Sequence, residues 1–160
     1  RIAAFADGAP KDLPKPAEHG TDISFTASYA NPTGKVALTG GRMNIFSGPD
    51  QLFLPFLALG VDGAIGTSYN FLASHYVRLY RAFQQGDLAV ARRLQSQANR
   101  IIDIFGSYDG LPAVKEMMRF IGLDCGDCRR PLRKLDEGEI TALRAALQEA
   151  HFWELADIAA

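Results

Sequence analysis

The chain has 160 residues, of which 48% are hydrophobic and 22% charged, and its formal net charge is −1. This length is enough for one ordinary domain with a hydrophobic core. The near-zero charge argues against a nucleic-acid-binding protein, which needs a basic face, and no apolar run approaches the ~20 residues that span a bilayer. We therefore expect a globular cytoplasmic protein with neither a nucleic-acid nor a membrane partner.

The N-terminal segment predicts little regular structure. Residues 1–20 are rich in Ala, Pro, Lys and Gly, and three prolines between Pro10 and Pro16 disfavour a long helix. The segment lacks the continuous apolar core of a secretory signal and has no initiator Met, which indicates a fragment or a processed product. The next stretch, DISFTASYA over residues 22–30, alternates as a β-strand does and ends before the turn signal NPTGK.

Two further short strands flank an apolar helix. RMNIFSGPD, residues 42–50, predicts a strand that ends at Ser47, and PDQLFLPFLALG predicts a short helix closed by Gly60. VDGAIG, residues 61–66, is small and apolar throughout, as expected of a parallel strand buried on both faces.

Four amphipathic helices follow without intervening strands. They are predicted over residues 70–86, 87–108, 111–122 and 136–157, and Asp87 is expected to cap the second. Apolar stripes at helical spacing mark the first two: Leu72, Tyr76, Leu79 and Phe83, then Leu88, Ala91, Leu94, Ala98, Ile101 and Phe105. Strands alternating with helices indicate a parallel βα architecture, and the run of helices indicates an appended helical cap.

The two cysteines form one C-x-x-C, Cys125 to Cys128, in a Gly/Asp/Arg loop before Pro131. One such pair cannot make a four-ligand zinc site, and a thioredoxin-type motif should follow a strand and open a helix. We therefore favour two free thiols over a redox pair or a metal site. Three separate histidines, with no cluster at ligand spacing, likewise predict no metal.

Small and polar residues follow the VDGAIG strand, where Gly66, Thr67, Ser68, Tyr69 and Asn70 lead into the first long helix. In α/β proteins the turn from strand to helix is where ligands are usually held, because backbone amides and hydroxyls converge there. A capped loop with no ligand is the alternative. In a (β/α) barrel these strand ends would lie at the active-site face.

The order of these motifs resembles the C-terminal part of the N-acetylneuraminate lyase and dihydrodipicolinate synthase family. The resemblance rests on a strand ending in Gly-x-Asp, the G-x-D-G-x-I-G strand with its hydroxyl and Y-N, and the later G-L-x-x-V-K and R-x-P-L segments. The resemblance covers roughly residues 43–147. The G-x-S/T-x-Y-N motif favours the neuraminate lyases of this family over its synthases. The resemblance implies an α/β fold, namely the C-terminal part of a (β/α)8 TIM barrel with about three parallel strands, followed by a helical extension.

Members of that family form or cleave a carbon–carbon bond next to pyruvate through a lysine Schiff base, which acts as the electron sink. They need no other cofactor, and we expect none here. Carried onto this chain, Gly48 and Asp50 match the substrate-contacting Gly-x-Asp, and Gly66 and Thr67 match the Gly-Ser/Thr pair. Thr67 would contact the hydroxylated tail of the substrate, or cap the helix without contacting a ligand.

Two positions depart from the family pattern. Ser24 falls where the Schiff-base lysine is expected, with Thr26 on the neighbouring threonine, and serine cannot form an imine. Lys35 is the only nearby substitute and lies in a predicted turn. Gln51 stands where sialic-acid lyases carry a Glu that binds the glycerol tail, which leaves other 2-keto acids or sugar acids open as substrates. The resemblance places the relay tyrosine in segments before Arg1.

Residues 1–86 are accordingly predicted to form a partial TIM barrel, with 1–20 irregular and unmatched, and residues 87–160 a helical extension. The predicted function is that of a lyase polypeptide, incomplete as it stands, acting on pyruvate-derived 2-keto acids or sugar acids. A catalytically inactive homologue serving as a binding or assembly module is the alternative. Because about eight strands are needed to close a barrel, we expect a homo-oligomer or pairing with a complementary barrel half.

Overall fold

A computed structural model describes residues 44–157. The chain divides into two compact units, one extending to Gly66 and the other beginning at Thr67. The strand predicted over residues 22–30 lies outside the described residues.

The first unit contains two parallel strands, β1 (Phe46–Ser47) and β2 (Gly63–Ala64). Phe46 pairs with Gly63 and Ser47 with Ala64. The Ile65 amide extends the ladder by donating to the Ser47 carbonyl at 2.9 Å. The parallel pairing confirms the predicted βα arrangement, although both strands are shorter than the sequence pattern indicates.

The connection between the strands runs through a 3-10 turn, Asp50–Leu52, and helix α1, Phe53–Ala58. Gly60 has a φ of +85° and ends the helix, as predicted, because glycine enters the left-handed region without a steric penalty. Four apolar side chains of α1 are buried and contribute to the core: Phe53, Leu54, Phe56 and Leu57.

The prediction that VDGAIG is buried on both faces is wrong for the described residues. Gly63 and Ala64 are half-buried, and the side chain of Ile65 is 73% exposed. Within residues 44–66, β1 is the strand that pairs with β2. The exposed Ile65 leaves apolar surface open at the end of this pair.

The second unit is helical. Its elements are α2 (Tyr69–Gln84), α3 (Leu88–Gly106), α4 (Leu111–Phe120), α5 (Glu137–Glu149) and α6 (Phe152–Ala156). Helices α2 and α3 form a hairpin in which Gly86, with a φ of +77°, makes the turn. Asp87 caps α3 as predicted, because its Oδ1 accepts from the Val90 amide at 3.0 Å.

The predicted apolar stripes form most of the interface between α2 and α3. Leu72 and Leu79 of α2 and Ala91, Ala98 and Ile101 of α3 are fully buried. The ends of the stripes differ from the prediction: Phe83 is half-buried and Leu88, the first residue of α3, is exposed. A helix end has fewer neighbours to cover it, so the last position of a stripe is the least reliably buried.

The single helix predicted over residues 136–157 is two helices, so that prediction is wrong. His151 adopts left-handed backbone angles, with a φ of 57°, between α5 and α6. The break turns Phe152 and Trp153 into the core, and burial of two large aromatic rings outweighs the continuity of one helix. The start of α5 has a reciprocal capping box between Asp136 and Glu139.

Aromatic rings join α6 to the rest of the helical unit. Phe152 packs edge-to-face against Phe71 of α2, with ring centroids 5.8 Å apart. The guanidinium of Arg144 on α5 lies 5.2 Å from the ring of Trp153 and 5.1 Å from that of Phe120 on α4. Phe152 and Trp153 therefore pack within the helical unit.

Among residues 44–157, none of the helices combines the length and apolar character that a bilayer crossing requires.

His75 of α2 is a titratable group sealed inside the helical unit. It is fully buried, and its Nε2 lies 2.7 Å from the Leu94 carbonyl of α3. Burial lowers the pKa of His75, an effect that the bond to Leu94 opposes and the charge of Arg78 reinforces. The neutral imidazole is therefore the form that suits the folded helical unit.

We predict that His75 makes the protein less stable in mild acid. Its pKa is lower in the folded state than the ~6.5 of an unfolded chain, so the unfolded state binds more protons as pH falls. Stability contributed by this site is complete above ~6.5 and declines below it. His75→Gln, which keeps a donor near the Leu94 carbonyl, should flatten the decline in the free energy of unfolding between pH 7 and pH 5.

The matched control is His151→Gln, since His151 is exposed. Urea denaturation at several pH values measures both variants. An unchanged pH slope in His75→Gln would show that His75 does not control acid stability.

Candidate functional site

The carboxyl ends of β1 and β2 lie at one edge of the first unit, because the two strands are parallel and in register. Gly48 follows β1 directly, and Gly66 follows β2 two residues after its end. A Cβ atom added to Gly48 would meet no atom of the described residues within 4 Å. Among the described residues, no atom therefore blocks the approach of a ligand to the backbone at Gly48.

Asp50 and Gln51 stand at the start of the connection to α1. Asp50 is the first residue of the 3-10 turn and is buried, whereas Gln51 is exposed. The structure thus brings three predicted site residues, Gly48, Asp50 and Gln51, to the same strand edge as Gly66. Ser24, Thr26 and Lys35 lie outside the described residues.

Thr67 begins the second unit and is exposed. Its carbonyl accepts from the Asn70 side-chain amide at 2.9 Å, but its hydroxyl makes no hydrogen bond within residues 44–157. The first residue before α2 is Ser68, and no described side chain caps that helix. The structure therefore does not show the alternative in which the Thr67 side chain caps this helix, and contact between Thr67 and a ligand stays a prediction.

The turn after Thr67 is held by a buried pair that sequence reasoning missed. Ser68 Oγ and Tyr76 Oη are 2.9 Å apart, and both side chains are buried. The ring of Tyr69 lies 4.3 Å from that of Tyr76. Regular helical spacing gave no signal for this pair, because Ser68 precedes the helix and the backbone between the two residues is non-helical at Leu72, with a φ of −118° and a ψ of 25°.

Ser47 is the second residue that the sequence did not single out. Its side chain is buried at the end of β1, and its Oγ has no hydrogen-bond partner in the described part of the chain. A buried hydroxyl at a strand end, next to the open backbone of Gly48, adds a polar group to this edge.

The remaining candidates carry no site chemistry in the structure. Lys115 of α4 donates to the Cys125 carbonyl at 2.7 Å, which is a structural role. Within residues 44–157, no three His, Cys, Asp or Glu side chains are grouped to hold a metal ion.

Comparison with known proteins gives a consistent result. Residues 26–150 match the model of the dihydrodipicolinate synthetase family. The chain is 38% identical over 109 residues to an N-acetylneuraminate lyase of Rhizobium meliloti, which covers 68% of this chain and 36% of that relative. The chain therefore spans about a third of the length of this curated relative.

Solved structures agree with the sequence matches. A Proteus mirabilis N-acetylneuraminate lyase superposes with a TM-score of 0.70 at 32% identity, over 74% of this chain and 40% of that one. A Fusobacterium nucleatum N-acetylneuraminate lyase complexed with pyruvate gives a TM-score of 0.67 at 26% identity. The match covers 78% of this chain and 40% of that one. The fold is the C-terminal part of a (β/α)8 TIM barrel followed by a helical extension, as expected from the sequence.

We predict that Tyr76→Phe loosens the turn that carries Thr67. Removing the hydroxyl deletes the 2.9 Å hydrogen bond between Ser68 Oγ and Tyr76 Oη, which should lower the free energy of unfolding by about 0.5–1.5 kcal/mol. Tyr80→Phe is the matched control, because the Tyr80 side chain is 36% exposed and its change should stay within about 0.5 kcal/mol. Urea denaturation measures both, and equal losses would contradict a specific role for the Ser68–Tyr76 pair.

Proposed function

Since the chain belongs to the dihydrodipicolinate synthetase family, we propose that it is an aldolase-type lyase polypeptide acting on pyruvate-derived 2-keto acids. The observation that carries this proposal is its 38% identity to an N-acetylneuraminate lyase over two thirds of the chain. The similar Fusobacterium nucleatum lyase that binds pyruvate gives further support. The reaction is the cleavage or formation of the carbon–carbon bond next to the pyruvate unit.

The strand edge supplies part of the substrate site in this proposal. In this proposal the substrate approaches the backbone at Gly48, where no described atom lies within 4 Å of a Cβ position. Asp50, two residues further on, is the acidic residue of the matched Gly-x-Asp. Thr67 offers an exposed hydroxyl that can donate or accept. Gly66 and Thr26 complete the proposed set of substrate-binding residues.

The substrate tail is the finer point of the proposal. Gln51 is exposed and carries a neutral amide, which binds a hydroxylated tail without the negative charge of a carboxylate. We therefore infer a 2-keto acid or sugar acid whose tail differs from that of sialic acid. The substrate is a small molecule, and the protein acts in the cytoplasm.

We propose that this chain lacks the amine that forms the electron sink of the reaction. In retro-aldol cleavage, an amine condenses with the keto group with loss of water, and the protonated imine accepts the electron pair of the broken bond as an enamine. Ser24, at the lysine position of the resemblance, has a hydroxyl and cannot form that imine. We infer that the chain forms the rim of the site and works with a complementary portion of the barrel.

A catalytically inactive homologue that serves as a binding or assembly module is the second candidate, and Ser24 is the observation that favours it. In either case we propose that residues 1–86 form a partial TIM barrel, with residues 1–20 irregular and unmatched, and that residues 87–160 form the helical extension. The two candidates differ in whether a lysine restored at position 24 would form an imine with pyruvate.

We predict that the chain alone neither cleaves 2-keto sugar acids nor forms a borohydride-stable adduct with pyruvate. Losing a covalent nucleophile removes many orders of magnitude of rate, because no other group provides the electron sink. Mass spectrometry after borohydride reduction measures the adduct. An adduct on the native chain that Lys35→Ala abolishes would contradict the prediction and identify Lys35 as the amine.

The lysine position is tested by restoring it. Ser24→Lys should gain pyruvate trapping, whereas Ser74→Lys, a lysine added at an exposed position on α2, should not. Calorimetry with pyruvate and with sugar acids separates the two candidates: binding without trapping in Ser24→Lys supports the inactive module.

We also predict association through the barrel unit. Phe46 and Ile65 expose 47% and 73% of their side chains beside two short strands, and such surface invites pairing with another copy or with a complementary barrel half. Light scattering at micromolar concentration should show a species larger than the monomer. Ile65→Ser should reduce association and exposed-hydrophobe dye binding, whereas Leu123→Ser, at an exposed leucine in the α4–α5 loop, should leave both unchanged. A stable monomer that binds no dye would contradict the prediction.

A further inference from the structure

The loop between α4 and α5 carries both cysteines of the chain, and the proposed lyase chemistry does not use them. Cys125 is exposed, Cys128 is half-buried, and both are free thiols. We call residues 124–128 the dithiol turn. It is separated from the barrel unit in sequence and belongs wholly to the helical unit.

One guanidinium holds the dithiol turn on both sides of Gly126. Arg119, in the last turn of α4, donates from Nε to Asp124 Oδ1 at 3.0 Å and from Nη2 to Asp127 Oδ1 at 2.9 Å. Asp124 Oδ1 also accepts from the Gly126 amide at 2.8 Å, and Gly126 has a φ of +67°. The backbone between the two cysteines is therefore fixed in a tight reversal that a residue with a side chain would adopt only with strain.

Two lysines fix the ends of the same turn. Lys115 of α4 donates to the Cys125 carbonyl at 2.7 Å, and Lys134 forms an ion pair with Asp127. Lys115 and Lys134 also line a small cleft together with Cys128. Arg119 and the two lysines thus hold Asp124, the Cys125 carbonyl and Asp127 in place. These contacts order the turn although the loop is largely exposed.

The chemistry of the pair follows from its composition. Within the described residues no third His, Cys, Asp or Glu joins the thiols in a group that could hold a metal. A tetrahedral metal site needs four ligands, whereas two thiols separated by two residues can close a ring with each other. Gly126 has no side chain, and a Cβ there would meet no described atom within 4 Å, so space is open for the turn to tighten.

We propose that Cys125 and Cys128 are a reversible dithiol–disulfide couple, a redox-modification site whose oxidant is a low-molecular-weight disulfide. The exposed Cys125 attacks first as its thiolate: its sulfur bonds to one sulfur of the oxidant, whose disulfide breaks and releases one thiol. Cys128 then attacks the Cys125 sulfur and releases the second thiol. Two protein thiols are oxidised, one oxidant disulfide is reduced, and the two protons pass to the released thiols.

Oxidation would also change the loop around the pair. Asp127 lies between the cysteines, so closing the ring moves the carboxylate that Arg119 and Lys134 both bind. The ion pairs that link the end of α4 to the segment before α5 are therefore coupled to the redox state of the thiols. The couple is independent of the proposed lyase activity.

The test uses the full chain incubated in mixtures of glutathione and glutathione disulfide, quenched in acid, alkylated and weighed intact. We expect the wild type to lose two hydrogens and to take up no alkyl group as the mixture becomes oxidising. Cys128→Ser should instead accumulate one glutathione at Cys125, and Cys125→Ser should react several-fold more slowly because Cys128 is half-buried. Persistent mixed disulfides in the wild type, or thiols that stay fully alkylatable, would overturn the proposal.

Positioning by Arg119 is tested separately. Arg119→Gln should slow ring closure several-fold, so that the mixed disulfide becomes detectable before the internal disulfide forms. Arg129→Gln is the matched control, since Arg129 is an exposed arginine next to Cys128 with no part in holding Asp124 or Asp127. Equal rates in the two variants would show that Arg119 does not prepare the turn for disulfide formation. Circular dichroism should show that both variants are folded like the wild type, so that a difference in rate reports on the turn alone.

Discussion

The close packing of α2 against α3 is the constraint on which the helical unit depends. Ala91 and Ala98, seven residues apart on α3, are fully buried, and their small side chains let α2 approach closely enough to bury Leu72 and Leu79. The same approach brings His75 within hydrogen-bonding distance of the Leu94 carbonyl. Larger residues on α3 would separate the helices and lose the apolar contacts and this polar contact together.

The sequence predicted those features that local chemistry decides. Asp87 caps α3 and Gly60 ends α1, because a side-chain oxygen or a positive φ is a property of one residue and its neighbours. The break at His151 could not be predicted in the same way. A non-glycine residue enters the left-handed region there because burial of Phe152 and Trp153, decided by distant helices, outweighs local preference.

The site shows the same division. The sequence indicated that polar residues follow the strands, and the parallel register places Gly48 and Gly66 at one edge. It did not indicate that Ser68 would be buried against Tyr76 while its neighbour Thr67 stays exposed, because adjacent hydroxyls look equivalent until the helix start fixes their directions. The sequence also did not indicate how short β1 and β2 are. The length of a strand depends on the backbone donors and acceptors of its partner strand, which a local pattern does not contain.

The position of Trp153 has a spectroscopic consequence. It is the only tryptophan in the chain, it is buried, and the Arg144 guanidinium lies over its ring. Its intrinsic fluorescence therefore reports from one point, where α6 meets α4 and α5, and its emission shifts to longer wavelength when water reaches the indole. Melting of the helical extension can be followed optically at that point without an added label, separately from events in the barrel strands.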